Sequence, residues 1–164
     1  MIFLNRTLCY KNNFLQKNKV KKAVANFILI HSVDSVELAN KISECGQEEG
    51  KLTHVLLEVN TSGEKTKHGM SEEAWYTSFE KVLHLPNVKI EGLMTMAPLS
   101  DNQHEVRACF RRLRRFRDRL LSFAGSEVTL DVLSMGMSHD YPIAIEEGAT
   151  LVRIGTAIFQ SQKK

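Results

Sequence analysis

"SMGMSHDYPIAIEEGATLVRIGTAIF", residues 134–159, is the stretch on which the fold turns. An apolar run ends in a loop of small residues, a short polar helix follows, and a second apolar run begins. That order is a βαβ unit with parallel strands. Two features stand out in it. Arg153 lies inside an apolar strand, where a charge costs several kcal/mol unless it has a partner. Gly136, Ser138, Gly155 and Thr156 put small residues at both strand ends, where backbone N–H groups and the Ser138 hydroxyl can approach an anion. Phosphate sites formed by the loops after the last two strands recur in (β/α) barrels. The plainer alternative is that the glycines serve packing and Arg153 pairs with a surface acid.

Working outward, the same alternation repeats towards the N-terminus. "NFILIHSVDS" is a strand run, and "SVELANKISECGQEEGK" places Val36, Ala39, Ile42 and Cys45 at helical spacing behind an Asp34 or Ser35 cap. "HVLLEVNTSGEK" is a second strand entering a Ser-Gly loop. "SEEAWYTSFEKVLHLP" is a helix capped by Ser71, with acids in its first turn and Pro86 after its end. "VKIEGLMTMAPLS" is a third strand. "DNQHEVRACFRRLRRFRDRLLSFAG" is a helix with Val106, Phe110, Leu113 and Leu120 inward and Gly125 past its end. With "TLDVLSMGMS" and "TLVRIGTAIF" the chain holds five strands. They are apolar nearly throughout and separated by helices, the pattern of a parallel sheet covered by helices.

The polar residues collect at the carboxyl ends of the strands: His31 to Asp34, Asn60 to Lys67, Thr95, Ser134 to Ser138. Barrels and open α/β sheets keep their sites there. So even a βα repeat favours a (β/α) barrel. Such a barrel usually takes about 200 residues or more, and this chain has 164. The expected fold is therefore a partial TIM-type barrel of about five of the eight βα units.

Composition narrows the functional classes. Hydrophobic residues make up 43% and charged residues 25% of the chain, ordinary for a globular domain. The apolar runs are strand-sized, so no membrane span is expected, and the N-terminus lacks the pattern of a secretory signal. Cys9, Cys45 and Cys109 are scattered, which fits reduced thiols and a cytoplasmic location. His31, His54, His68, His84, His104 and His139 form no metal-ligand pattern; His31, in an apolar run, reads as a satisfied core histidine. Asp131 and Glu58, inside strand runs, call for buried partners. Seven arginines between Arg107 and Arg119 could contact RNA or an acidic partner. The helix buries its apolar face, however, so they read as a solvated outer surface, and with a net charge of +3 nucleic acid is not expected as a partner.

"KNKVKKAV", "LIHSVDS", "LLEVNTSGEKTKHGM", "IEGLMTMAP", "LSMGMSHD" and "LVRIGTAIF", in this order from about Phe14 to Phe159, resemble the successive blocks of the pyridoxal-phosphate homeostasis protein family, whose fold is the barrel of the alanine racemase N-terminal domain. The resemblance implies a pyridoxal 5′-phosphate (PLP) site at the barrel mouth. It implies that Ser138, Gly155 and Thr156 hold the phosphate and that Arg153 faces the pyridine nitrogen. Met94, Met135 and Lys67 are further candidates for the site. An arginine at that nitrogen leaves the ring a poorer electron sink, so a non-catalytic role in vitamin B6 homeostasis is implied.

The sequence also departs from the family pattern. The "VSKT"-like block with the Schiff-base lysine and the "GEN" block that follows it do not occur. "MIFLNRTLCYKNN", residues 1–13, matches nothing in the pattern. The expectation is an N-terminally shortened member: an unmatched leader at 1–13, then a partial barrel at 14–164 that binds PLP non-covalently or weakly. Lys67, in the loop after "LLEVN", could form an adventitious aldimine, although a loop lysine is ordinarily just solvated. A barrel of five units would leave "FILIHSV" as an apolar edge strand and its interior bare unless a partner or the N-terminal segment covers it. Apo-enzymes that use PLP are candidate partners. The alternatives are a fragment of a racemase-type PLP enzyme and a basic interaction module.

Overall fold

A computed structural model describes residues 15–64 and 67–155. The unmatched leader and Thr156 lie outside the described residues. A 3-10 turn at Lys17–Lys19 leads into α1 (Val20–Asn26), followed by β1 (Leu29–Val33), α2 (Val36–Glu48), β2 (Thr53–Glu58), α3 (Glu72–Leu83), β3 (Val88–Met94), α4 (Gln103–Ala124), β4 (Val132–Met137), α5 (Tyr141–Glu146) and β5 (Leu151–Arg153). The five strands are all parallel, in the order β1-β2-β3-β4-β5. This is the partial α/β barrel that the repeat predicts.

The helices begin where capping chemistry dictates. The Ser35 hydroxyl accepts from the Leu38 amide and the Ser71 hydroxyl from the Ala74 amide, each satisfying one orphan N–H of a first turn. Lys51 reaches back to accepting carbonyls of Val24 and Phe27 at the end of α1. Trp75 is fully buried in α3, and its indole N–H donates to the Glu58 carbonyl at 2.8 Å, fastening that helix to the carboxyl end of β2.

Alternation along the strands sorts the interior into two layers. Val55, Leu57 and Val59 of the second unit, Ile90 and Leu93 of β3, and Leu133 and Met135 of β4 join the helix-side core, with Phe79, Phe110, Leu113 and Phe116 among the side chains opposite. Leu56, Glu58, Met94 and Ser134 point to the other, concave face. That face is not bare: Leu56, Glu58, Met94, His31 and Ser134 are all buried. The sheet curls far enough for β1 and β4 to touch across it, His31 Nδ1 lying 3.2 Å from Ser134 Oγ, and the Arg153 side chain lies over the same face.

Two further expectations change. Asp131 is exposed and precedes β4; it contributes a carbonyl that accepts from the Thr150 hydroxyl, so it needs no buried partner. The arginines of α4 are more than a solvated surface. Arg107, Arg111 and Arg114 converge on Glu147, just past α5, whose carboxylate side chain is only 5% exposed. Arg107 also pairs with Glu146, Arg114 donates to the Glu147 carbonyl at 3.0 Å, and Arg119 stacks on the Tyr76 ring at 4.0 Å. Helical periodicity predicts which residues face outward, but not that a neighbouring helix end supplies a carboxylate there.

Candidate functional site

The site is assembled from the carboxyl ends of β4 and β5. The register between these strands runs Ser134–Leu151 and then Met137–Arg153, so β4 uses three residues where β5 uses two. This bulge lies at Gly136 (φ 94°), where a Cβ would sit 2.6 Å from the Ala144 Cβ and 3.0 Å from the Tyr141 Cα. Glycine is thus required for α5 to pack on the strand end. Immediately beyond, the Asp140 carboxylate accepts from the Met137 amide at 2.5 Å and the Asp140 amide donates to the Met137 carbonyl, which pins the loop carrying Ser138.

Ser138 and Gly155 meet. The Gly155 amide donates to the Ser138 hydroxyl oxygen at 3.3 Å, a long bond readily exchanged for a stronger acceptor. A Cβ added at Gly155 would meet no atom of the described residues within 4 Å, so packing against them does not demand glycine there. The plain packing explanation of the small residues therefore holds for Gly136 and not for Gly155.

Arg153 turns inward. Its Nη1 donates to the Ser134 carbonyl at 2.9 Å and to the Ser134 hydroxyl at 2.7 Å, and its Nη2 donates to the Thr95 carbonyl at 2.9 Å. These three partners are backbone and hydroxyl oxygens rather than a carboxylate. A guanidinium only donates, so the Ser134 oxygen spends a lone pair on Arg153, and its contact with His31 Nδ1 runs in the direction that the ring's tautomer sets. Burial, with the nearby Arg153 charge, lowers the His31 pKa to about 4, so the ring is neutral at physiological pH. Opposite it, burial and the Asp34 carboxylate raise Glu58 to about 7, while Arg153 pulls the other way.

Thr95 rests on a chain of hydroxyls. Its hydroxyl donates to the Val59 carbonyl at 2.8 Å and so accepts from Thr61 at 2.9 Å; the Thr61 oxygen in turn takes the Cys109 thiol proton across 2.8 Å. Burial pushes the Cys109 thiol up, in keeping with a protonated donor. Arg112 adds a bond to the Thr61 carbonyl at 3.1 Å. The fold thus brings Ser138, Gly155 and Arg153 together.

The tentative candidates fare differently. Met94 lies on the concave face. Met135 belongs to the helix-side core, away from the cluster, because strand alternation turns it from its neighbour Ser134. Lys67 is held in its loop through its backbone, by Glu64 and Asn60. Sequence reasoning did not find Ser134 and Thr95 as the anchors of Arg153, nor Arg112. The polarity of Ser134 and Thr95 at strand ends was the available signal, whereas Arg112 had none. Among the described residues, no group of three or more metal-ligating side chains occurs and no helix is long and apolar enough to cross a membrane.

This architecture has relatives. A protein of Aquifex aeolicus named pyridoxal phosphate homeostasis protein is 48% identical over 149 residues, covering 91% of this chain and 64% of that protein. Its human namesake is 36% identical over 151 residues, 88% of this chain and 55% of that protein. The chain therefore spans about 64% of the Aquifex relative's length. Among solved structures, PipY of Synechococcus elongatus, determined with PLP bound, superposes with a TM-score of 0.82 at 36% identity, over 90% of this chain and 68% of PipY. An alanine racemase of Clostridium difficile shares the fold, with a TM-score of 0.74 at 19% identity over 90% of this chain and 38% of the racemase. The model of the alanine racemase N-terminal domain matches residues 4–163. The chain belongs to that domain family, among the pyridoxal phosphate homeostasis proteins.

Proposed function

We propose that this protein binds PLP at the mouth of the partial barrel and serves vitamin B6 homeostasis as a carrier rather than as an enzyme. PLP supplies a reactive aldehyde on an electron-withdrawing pyridine ring. The observation that carries the reading is the pairing of the Ser138 hydroxyl with the Gly155 amide at 3.3 Å, beside an inward arginine held by three hydrogen bonds. Ser138, Gly155 and Thr156 take the phosphate. Arg153 donates towards the pyridine nitrogen and, always charged, keeps that nitrogen unprotonated. Ser134, Thr95 and His31 fix the guanidinium. Met94 floors the site, and Met135 supports it from the other side of the sheet.

The contacts are non-covalent, and Lys67 stays outside them. Residues 14–164 form the binding unit, acting in the cytoplasm. Apo-enzymes that need PLP are the recipients, and the β1 edge accommodates a partner. A spectroscopic titration tests this. Wild-type protein should bind PLP reversibly, with competition by inorganic phosphate, and borohydride should add no mass to it. Ser138→Ala should weaken binding about tenfold, the worth of one charge-assisted hydrogen bond. A reduced adduct on Lys67 would overturn the non-covalent mode, and equal affinity in Ser138→Ala would overturn the phosphate site.

A further inference from the structure

Asp140 is a buried carboxylate next to the proposed phosphate loop, and the PLP contacts above give it no part. The residue is 2% exposed. A negative charge buried close to a pocket for a phosphate opposes the ligand by charge alone, so its presence there calls for a geometric reason. Helix capping is not that reason. Asp140 stands at the N-cap position of α5, yet its side chain bonds to no amide of that helix.

The carboxylate is turned back onto the end of β4. Its Oδ1 accepts from the Met137 amide at 2.5 Å, and the Asp140 amide donates to the Met137 carbonyl at 3.1 Å. One residue thus holds both polar backbone groups of Met137 and closes a four-residue turn over Ser138 and His139. Its Oδ2 faces His139 Nε2 at 3.3 Å, the imidazole being 40% exposed. Met137 is the last residue of β4 and stands in register with Arg153 on β5. Ser138 follows at once, and its hydroxyl accepts from the Gly155 amide at 3.3 Å. The strand itself is a poor substitute for this clasp, because its pairing with β5 is irregular between Ser134 and Met137, and Gly136 within that stretch has a φ of 94°. A bulged strand end whose last amide loses its acceptor re-aims the side chain that follows.

We infer that Asp140 is a positioning residue of the phosphate site: by gripping Met137, its carboxylate sets where the Ser138 hydroxyl meets the ligand. This rests on the PLP-type site proposed above and names a residue that shapes it without touching the ligand. What Met137 needs is an oxygen acceptor at the right reach, and not a charge. Asparagine offers such an oxygen uncharged, whereas glutamate keeps the charge and places its oxygens one methylene further out.

Spectroscopic titration of the 164-residue protein with PLP, and competition by inorganic phosphate, tests it. Asp140→Ala should weaken both ligands about tenfold, as loss of the Ser138 contact would. Asp140→Asn should recover most of that loss. In a Ser138→Ala background, Asp140→Ala should weaken binding by less than about twofold more, because it acts through that hydroxyl. Wild-type affinity in Asp140→Ala, an asparagine variant as weak as the alanine one, or losses that add in the double variant overturn the inference while leaving the phosphate site standing. Undiminished affinity in Ser138→Ala overturns both. Should Asp140→Ala fold poorly, Asp140→Glu decides: binding weakened several-fold despite the retained charge supports the positioning role, and wild-type affinity removes it.

Discussion

Arg153 on β5 donates one amino group to both the carbonyl and the hydroxyl of Ser134 on β4, at 2.9 and 2.7 Å, and its other to the carbonyl of Thr95 after β3. One side chain thus ties together three consecutive strand ends. The strand β5 is only three residues long, so this fork does much to hold it in the sheet.

Replacing Arg153 should therefore cost stability as well as ligand. Arg153→Met leaves the two carbonyls and the Ser134 hydroxyl without their donor, and we expect a loss of about 2–4 kcal/mol. Arg153→Lys keeps the charge but cannot fork, so it should recover less than half of that. Urea denaturation of the three proteins measures both. A lysine variant as stable as the wild type would show that charge, and not geometry, is what matters.

The Glu147 clamp makes a second measurable prediction. Its hydrogen bond from Arg111, with further help from Arg107 and the Arg114 charge, holds the carboxylate below its ordinary pKa. A depressed folded-state pKa stabilises the protein above the unfolded value, about 4.5, and that contribution is lost as pH falls through the lower folded value. Glu147→Gln should remove about 1–3 kcal/mol at pH 7, and the deficit should shrink below pH 4.5. Thermal melts from pH 7 to 3 check this; a deficit that persists unchanged at pH 3 would exclude the ion pairs as its source.

His31 and Glu58 should set opposing pH slopes. His31 has a folded pKa of about 4 against an ordinary 6.5, so the unfolded chain takes up the proton first and stability falls as pH drops from 6.5 to 4. Glu58, raised from 4.5 to about 7, is protonated in the folded state first, so stability rises as pH drops from 7 to 4.5. In the wild type the two largely offset each other across this window, with the Arg153 charge acting on both. His31→Asn should expose a rise in stability on acidification, and Glu58→Gln a fall. Denaturant midpoints at pH 7 and 5 read the signs, and equal slopes in the two variants would contradict the assignment.

Gly136→Ala introduces a methyl group into the Ala144 and Tyr141 contacts at a positive φ. A cost of about 2–4 kcal/mol is expected, together with weaker phosphate competition, because α5 must shift and carry the Ser138 loop with it. Phosphate affinity retained at wild-type level in a destabilised variant would show that the loop holds its shape independently of α5.

Most of the scaffold was legible because its signals are local. Ser35 and Ser71 cap as their positions suggest, and Val106, Phe110, Leu113 and Leu120 are buried at the spacing that marks them. Arg153 was legible for a different reason: a charge within an apolar strand demands a partner. What could not be read is what depends on the curl of the sheet. Neither Glu147 beneath three arginines nor His31 against Ser134 is a neighbour in sequence, the latter pair being 103 residues apart. Asp131 misled because an apolar run on one side of it resembles a strand interior, although the strand starts one residue later.

Strand order has a consequence for how the molecule comes together. Each strand pairs only with those next to it along the chain, so during synthesis every emerging βα unit can settle onto the one already made, at low loop-closure cost. The bond between His31 and Ser134 must wait until four strands are in place, and Arg153 arrives later still. The scaffold can thus be laid down step by step from the ribosome, while the pocket becomes competent only at the last stage.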